Sequence, residues 1–434
     1  MSEDLAGFPY WPLTYDEHGA AVGHGESELR VELSQSAITD LFIACHGWNN
    51  NAAMAHSLYA RLFEQVAGVV RDTASVIGVA GITWPAMRWP DETPEAAAFG
   101  GAAGFDDDGV TPAVDDATIL DELRKVYSAP AQQQALNEIQ ALLDEQPEDD
   151  AALERFQRLL AVLAAGPDVV QQLDGNEAAM FEEPAREVFD QAADLQPQDF
   201  HGGAAGFGGF DRVWSGARQA LRQATYWTMK KRAGIVGSTG VSSLIERLAH
   251  ANPDLRIHLV GHSFGARLVS FAVWGLSDGA VADGSPVKSV TLLQGAFSHF
   301  AFAPSLPHDP ERSGVLAGAM ARVDGPLVAT HSERDLAVGT LYPWASMLRR
   351  DDAAALESLL FRWGAIGHDG AQRSAEIPAV LLPAGESYAF EPGRIYNLDA
   401  NAVIVTGDGP SGAHSDIFHP ELAWAVLEAA GLGS

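Results

Sequence analysis

Short, uninterrupted apolar runs recur along most of this chain. They are rich in Val, Ile, Leu and Ala, and they lack the apolar–polar alternation of a strand with one solvated face. Continuous apolar strands are typical of a parallel sheet that is covered on both faces. Six stretches fit this pattern: DLFIACHG (40–47), ASVIGVAGITW (74–84), LRIHLVGHS (255–263), VKSVTLLQGAF (287–297), GPLVATHS (325–332) and AVIVTG (402–407).

Helical patterns separate several of these runs. Strands that alternate with helices predict an α/β fold, with a mostly parallel sheet and helices on both of its faces. The glycine-rich GIVGSTG at 234–240 lacks the lysine of a phosphate-binding loop, and we predict a plain loop there. The helical stretches are NAAMAHSLYARLFEQVAGVV (51–70), VSSLIERLAHA (241–251), ARLVSFAVWGLSDG (266–279) and PELAWAVLEAAG (420–431).

One acidic segment interrupts the alternation. Residues 101–200 carry 23 acidic and 5 basic side chains, a net of −18 out of −31 for the 434-residue chain. Its clearest helix, DDAALERFQRLLAVLAAGPD, starts at a cap formed by Asp149 or Asp150. The hexapeptide GGAAGF flanks the segment at 100–105 and again at 202–207, and such glycine runs are typical of flexible joints. We predict a core of 1–99 and 208–434, and a helical insertion of 100–207 that acts as a cap. The alternatives are a chance repeat in a chain rich in Ala and Gly, and an arm that packs elsewhere, for example against a second subunit.

Charge and composition narrow the range of partners. A net charge of −31 argues against nucleic acid and against anionic membrane surfaces. No apolar stretch reaches the roughly 18 residues of a membrane span, and the first residues lack a signal-peptide pattern, which favours the cytoplasm. The single cysteine, Cys45, rules out an internal disulfide and a cysteine-based zinc site. A homo-oligomer remains open.

The stretch Gly261-His262-Ser263-Phe264-Gly265 lies between a buried strand pattern and an amphipathic helix pattern. This context predicts a sharp strand-to-helix turn, in which small residues at 261 and 265 let the two backbones approach. The turn lifts the Ser263 hydroxyl out of the fold, at a helix N-terminus that favours negative charge. The alternative is a serine that only caps the helix.

A nucleophilic serine needs a base, and the base needs an orienting acid. In an α/β sheet of this chain order both should follow Ser263, at the ends of later strands. Asp335 comes just after the buried run GPLVATHS and is our candidate acid. Asp309 and Asp408 are weaker candidates, and a helix-capping or surface role for Asp335 is the alternative.

Two histidines near the C-terminus compete for the role of base. His414 lies in the polar loop TGDGPSGAHSD, and His419 directly precedes Pro420 at the start of the last helical pattern. A histidine in a loop is freer to reach a site than one at a helix start. We therefore favour His414.

An acyl-transfer site also needs backbone N–H donors for the oxyanion. The stretch FIACHGWNNN leaves an early strand through His46, Gly47 and Trp48. We predict that the N–H groups of Trp48 and Phe264 form the oxyanion hole and that Asn49 or Asn50 supports the turn. The side chain of His46 is predicted to be a buried packing residue.

These motifs, in this order, resemble the α/β-hydrolase superfamily. More narrowly, FIACHGWNNN followed by GITWPAMRWP resembles a poorly characterised bacterial group with an H-G-x-N-N oxyanion stretch, over roughly residues 38–95 and 225–431. The resemblance implies an α/β-hydrolase fold with the insertion as a lid. It also implies a Ser263–His414–Asp335 triad that cleaves its substrate through an acyl-enzyme, without a cofactor.

Two classes of function follow. The first is a serine hydrolase acting on a small-molecule or lipid-like carboxylic ester, with amide or thioester cleavage as variants. The second is a catalytically silent binding protein that uses the acidic segment as its interaction surface. No H-E-x-x-H or clustered ligand set indicates a metal. The basic cluster MKKRAG at 229–234 is expected to pair with the acidic segment rather than to hold an anionic substrate.

Overall fold

The computed structural model of the chain describes residues 2–48, 50–71, 76–87, 116–165, 184–193, 209–307, 309–337, 364–407 and 412–433. The strands in these ranges are β1 (Glu3–Leu5), β2 (Phe8–Tyr15), β3 (Ala21–Val22), β4 (Asp40–Cys45), β5 (Ile77–Thr83), β6 (Arg256–His262), β7 (Val287–Leu293), β8 (Leu327–His331), β9 (Ile377–Val380) and β10 (Ile395–Asp399). The helices are α1 (Gly25–Leu33), α2 (Ala52–Val69), α3 (Asp116–Val126), α4 (Pro130–Glu145), α5 (Asp150–Ala165), α6 (Ala185–Ala193), α7 (Phe210–Ile235), α8 (Ser242–Ala251), α9 (Phe264–Trp274), α10 (Asp278–Val281), α11 (Ile366–Asp369) and α12 (Pro420–Ala430). A π-helix, Val236–Val241, continues α7, and a 3-10 turn spans Ala319–Arg322.

The strands form one mixed sheet of ten, in the order β1-β2-β5-β4-β6-β7-β8-β10-β9, with β3 beside β2. Every pair from β2 to β9 is parallel, and only β1 and β3 run antiparallel to their neighbour β2. The structure therefore confirms an α/β fold with a mostly parallel sheet.

Both faces of the sheet are covered. All six residues of β4 are buried, and the five that follow Asp40 divide between two apolar clusters. Leu41 and Ile43 belong to one cluster, whereas Phe42 and Ala44 belong to the other. Helix α9 packs over β6 and β4 on the first face, while α2 and α12 pack together on the second. Continuous burial in the sequence thus reflects a sheet between two helical layers.

The order of the strands fixes where a ligand can approach. After β4 the chain adds β5 on one side, and after β6 it adds β7 on the other. This reversal makes the carboxyl ends of β4 and β6 a topological switch point, the usual position of binding sites in open α/β sheets. Cys45 and Gly261 are register partners there, so the loops that leave these two strands begin side by side.

Five of the six predicted strands contain an observed strand, and the sixth prediction is wrong. Residues 401–403 form a turn rather than a strand, and β10 lies just before them at Ile395–Asp399. The Asp399 carboxylate accepts the backbone N–H of Asn401 at 2.9 Å and so ends the strand. The apolar character of AVIV reflects Ile404, which is buried against the second-face cluster that contains α12.

The predicted loop at 234–240 is also wrong, because α7 and its π-helical extension run through it. The glycines there permit close packing rather than a turn. A Cβ on Gly237 would overlap the carbonyl oxygen of Leu268 in α9, and one on Gly275 would overlap that of Ser238. Glycine in this segment therefore lets two helices approach at backbone distance.

The acidic segment is helical where it is described. Helices α3, α4, α5 and α6 pack in sequence, and both α5 and α6 pack on α7. Asp149 caps α5, since its carboxylate accepts the N–H of Ala152 at 2.8 Å. Helix α7 in turn packs on α9. Both GGAAGF stretches lie outside the described residues, so the proposed hinges and domain borders stay predictions.

Candidate active site

The turn between β6 and α9 accounts for a serine between two glycines. Ser263 has φ 59° and ψ −121°, a left-handed conformation that few non-glycine residues adopt. A Cβ on Gly261 would overlap the carbonyl of Gly265, and a Cβ on Gly265 would overlap the carbonyl of Cys45. Both glycines are therefore required by close backbone contacts, and the strain is concentrated at Ser263.

The loop that follows β4 lies directly against this turn. A Cβ on Gly47 would lie 2.6 Å from the Cβ and 3.1 Å from the Oγ of Ser263. Trp48 is three residues beyond the end of β4 and is therefore outside the strand ladder. The Asn50 side chain donates to the carbonyl of Trp48 at 2.9 Å, which supports the loop, while Asn49 lies outside the described residues.

His46 fixes the start of the same loop. Its ring is fully buried, stacks on Trp84 with centroids 5.8 Å apart, and lies with Nδ1 2.7 Å from the carbonyl of Gly47. Burial lowers the pKa of His46 to about 4, so the ring is neutral at pH 7 and its Nδ1–H donates to that carbonyl. This confirms the predicted buried packing histidine.

Asp335 and His414 meet beside the elbow. The Nδ1 of His414 lies 2.9 Å and 3.0 Å from the two carboxylate oxygens of Asp335. Asp335 is fully buried, and His414 is 6% exposed. Gly412 has φ +52° and pairs with Asp335 in an isolated bridge, which brings the His414 loop against the end of β8. Because Nδ1 binds the acid, the other ring nitrogen, Nε2, is the one that can act as base.

The two competing candidates that the structure describes have partners other than the Asp335–His414 pair. His419 pairs with Asp416, with its Nε2 2.7 Å from the carboxylate. Asp309 lies in a tight turn between β7 and β8, where its N–H donates to the carbonyl of Leu306. Asp408 lies outside the described residues.

His262 is a functional candidate that the sequence analysis passed over as the variable residue of the glycine–serine motif. Its Nε2–H donates to the backbone carbonyl of His414 at 3.0 Å, and the two rings lie 5.0 Å apart. Burial, together with the nearby His414 and His46, lowers the pKa of His262 to about 3. A neutral His262 thus joins the elbow to the loop that carries His414.

Aromatic side chains link the helical segment to the site. The ring of Tyr226 in α7 lies 5.8 Å from that of Trp48 and 4.9 Å from that of Phe264. Arg232, from the MKKRAG cluster, donates to the carbonyls of Pro85 and Val126 rather than to a carboxylate. Helix α7 therefore contacts both the helices of the acidic segment and the two residues, Trp48 and Phe264, that lie next to Ser263.

Comparison of the chain with protein-family models, with curated proteins and with solved structures finds no match. In the described ranges no three His, Cys, Asp or Glu side chains are arranged to hold a metal ion. Within those same ranges, no helix is long and apolar enough to cross a membrane.

Acid should destabilise this protein through His262. The unfolded chain takes up a proton near the ordinary histidine pKa of about 6.5, whereas the folded chain resists it down to about 3. Above pH 6.5 His262 is neutral in both states, and the stability of the fold is fully present. As the pH falls from 6.5 toward 3, only the unfolded chain binds the proton, so the free energy of unfolding falls by about 1.4 kcal/mol per pH unit. Urea unfolding at pH 7, 6, 5 and 4 should give a shallower decline in the free energy of unfolding for His262→Gln.

The matched control is His18→Gln, because the side chain of His18 is 81% exposed. The free energy of unfolding of this variant should fall with pH at the wild-type slope. His46, which is also buried, contributes to that slope in all three proteins. An unchanged slope in His262→Gln would contradict the prediction.

Proposed function

We propose that this chain is a serine hydrolase that cleaves a carboxylic ester through an acyl-enzyme at Ser263. The observation that carries the proposal is the strained Ser263 turn at the switch point of the sheet, combined with the buried Asp335–His414 pair. A left-handed conformation at a non-glycine residue is unfavourable, and such strain clusters at functional sites. The chain order serine, aspartate, histidine is that of α/β-hydrolases.

The mechanism assigns each residue one task. Asp335 holds the Nδ1–H of His414, so that Nε2 can take the hydroxyl proton of Ser263 as its oxygen bonds to the ester carbonyl carbon. The N–H groups of Trp48 and Phe264 donate to the resulting oxyanion, at the N-terminus of α9. The intermediate then collapses and expels the alcohol, which receives the proton from His414. A water molecule repeats the sequence and releases the acid.

The surroundings of the site favour an apolar acyl group. Trp48, Phe264 and Tyr226 form a cluster of rings beside the proposed oxyanion hole. Helix α7, which bears Tyr226, is also the helix on which α5 and α6 pack. The helical segment then serves as a cap, and a small-molecule or lipid-like ester is the substrate class.

Labelling with a fluorophosphonate probe tests the proposal. The folded protein should form one phosphonyl adduct, and peptide mapping should locate it on Ser263. Heat-unfolded protein serves as the control and should not react, because the hydroxyl is activated only by the assembled site. A folded protein that stays unlabelled, or one labelled elsewhere, would favour the silent binding protein instead.

A further inference from the structure

Gln294 lies directly after β7, in the turn next to the Ser263 elbow. Like Ser263 it has a left-handed backbone, with φ 47°. Hydrogen bonds join the two turns: the N–H of Ser263 donates to Leu293 at 3.1 Å, and the N–H of Ala296 donates to the carbonyl of Ser263 at 3.2 Å. Gln294 is therefore held in fixed register with the elbow.

The Gln294 side chain is fully buried, and both ends of its amide are used. Its Nε2 donates to the Oδ2 of Asp335 and to the carbonyl of Gly367, both at 2.9 Å. Its Oε1 accepts from the hydroxyl of Thr330 at 3.0 Å. Two acceptors at one end and a donor at the other fix the orientation of the amide.

We propose that Gln294 is a positioning residue that holds the Asp335 carboxylate in place for His414. The inference rests on the proposed function, since it assigns Gln294 to the acid of that site. The same carboxylate oxygen, Oδ2, receives Gln294 Nε2 and lies 2.9 Å from His414 Nδ1. The Gln294 amide therefore links Asp335 to the turn after β7, the strand that lies beside β6 and the Ser263 elbow.

The chemistry of a neutral donor suits this position. An N–H group orients a buried carboxylate and offsets part of its negative charge without adding a charge of its own. Without that donor, Asp335 would favour the protonated form of His414, which cannot act as base. Two other titratable groups interact with the pair: His262, at the end of β6, with His414, and His368, in α11, with Asp335. His46 interacts in turn with His262, while Asp369 and Glu333 interact with His368.

The test compares two buried side-chain amides that hydrogen-bond the backbone of the turn around α11, Gln294 at Gly367 and Asn397 at Ala371. Gln294→Met removes the donor to Asp335 at similar volume. Asn397→Leu is the matched control, because Asn397 is also buried and bonds Ala371 through both ends of its amide, each at 2.8 Å, at the far end of the turn. The rate constant of fluorophosphonate labelling at Ser263 is measured from pH 5 to pH 9. That rate constant refers to folded sites and does not depend on how much protein folds.

Gln294→Met should label about 10- to 100-fold more slowly than the wild type, the range that corresponds to losing one hydrogen bond to a charged group. The acidic limb of its pH profile should move to higher pH, because acid inactivates a more readily protonated His414. Asn397→Leu should keep the wild-type limb. A merely structural role of Gln294 would lower the yield of folded protein without moving the limb.

Gln294→Glu keeps the size of the side chain and provides the second variant. Once ionised, its carboxylate adds a negative charge beside Asp335, so the acidic limb should move further than in Gln294→Met. Wild-type rates and limbs in both variants would overturn the inference, as would an equal displacement in Asn397→Leu. A folded wild type that does not label at Ser263 would instead overturn the proposed function, and the inference with it.

Discussion

Ser263→Ala is expected to lower the turnover of an activated ester, such as a p-nitrophenyl ester, by about 10⁴-fold or more. The substitution removes the oxygen that bonds to the acyl carbon, so no acyl-enzyme can form. What remains is the rate from the oxyanion donors and from substrate binding alone. Turnover is measured by release of p-nitrophenolate over a series of acyl chain lengths, and folding is checked by urea unfolding.

The matched control is Ser270→Ala in α9, the helix that begins directly after Ser263. Ser270 is buried like Ser263, but its hydroxyl donates to the backbone carbonyl of Ala266 at 2.8 Å. Removing a hydroxyl that only bonds within the helix should leave turnover within about two-fold and change stability by about 1 kcal/mol. Retained hydrolysis in a folded Ser263→Ala variant would show that another group performs the reaction.

The central sheet could be predicted because its strands are buried on both faces. Most residues of β4 and β6 are apolar because both faces of these strands are buried, so the sequence pattern and the burial agree there. Two buried polar exceptions, Asp40 in β4 and His258 in β6, are partners, with Oδ1 and Nε2 3.0 Å apart. The role of Gly261 and Gly265 could also be predicted from sequence alone. Glycines on both sides of a serine, between a strand and a helix, indicate a turn at which two backbones approach too closely for a Cβ. The same local logic located the loops after β4, β6 and β8.

The parts that could not be predicted depend on partners distant in the chain. Asn397 places a polar amide in the middle of β10, and its partner Ala371 is 26 residues away. This amide interrupts the apolar pattern of β10, so the sequence pattern favours the apolar turn that follows it. Strand β9 is short and half-exposed, with little apolar signal of its own.

The candidate site also contains residues that local sequence predicts and residues that it does not. Ser263 and Asp335 follow the ends of β6 and β8, and His414 lies in the polar loop before α12. All three carry reactive groups, so their order along the chain was enough to suggest them. Gln294 also follows a strand end, in LLQGAF, and a polar residue at that position was the available signal. Its proposed role depends on a contact with Asp335, which is 41 residues away and therefore absent from any local pattern.

Two histidines five residues apart allow the assignment of the base to be tested directly. His414→Ala should lower turnover of the same activated ester by about 10⁴-fold, because Ser263 then has no group to accept its proton. His419→Ala is the matched control. His419 pairs with Asp416 rather than with Asp335, so its loss should leave turnover within about two-fold and change stability by about 1 kcal/mol or less.

Asp335→Asn completes the comparison. An amide at this position can offer its oxygen or its NH₂ group to His414, and an amide NH₂ facing Nδ1 would favour the wrong imidazole tautomer. Turnover should fall by about 10⁴-fold at neutral pH, even though Asn has nearly the same shape as Asp, because the negative charge is lost. A double variant, His414→Ala with Asp335→Asn, that loses no more turnover than His414→Ala alone would show that the two residues act as one unit. A large loss in His419→Ala with little loss in His414→Ala would instead place the base at the start of α12 and leave the buried Asp335–His414 pair with a structural role.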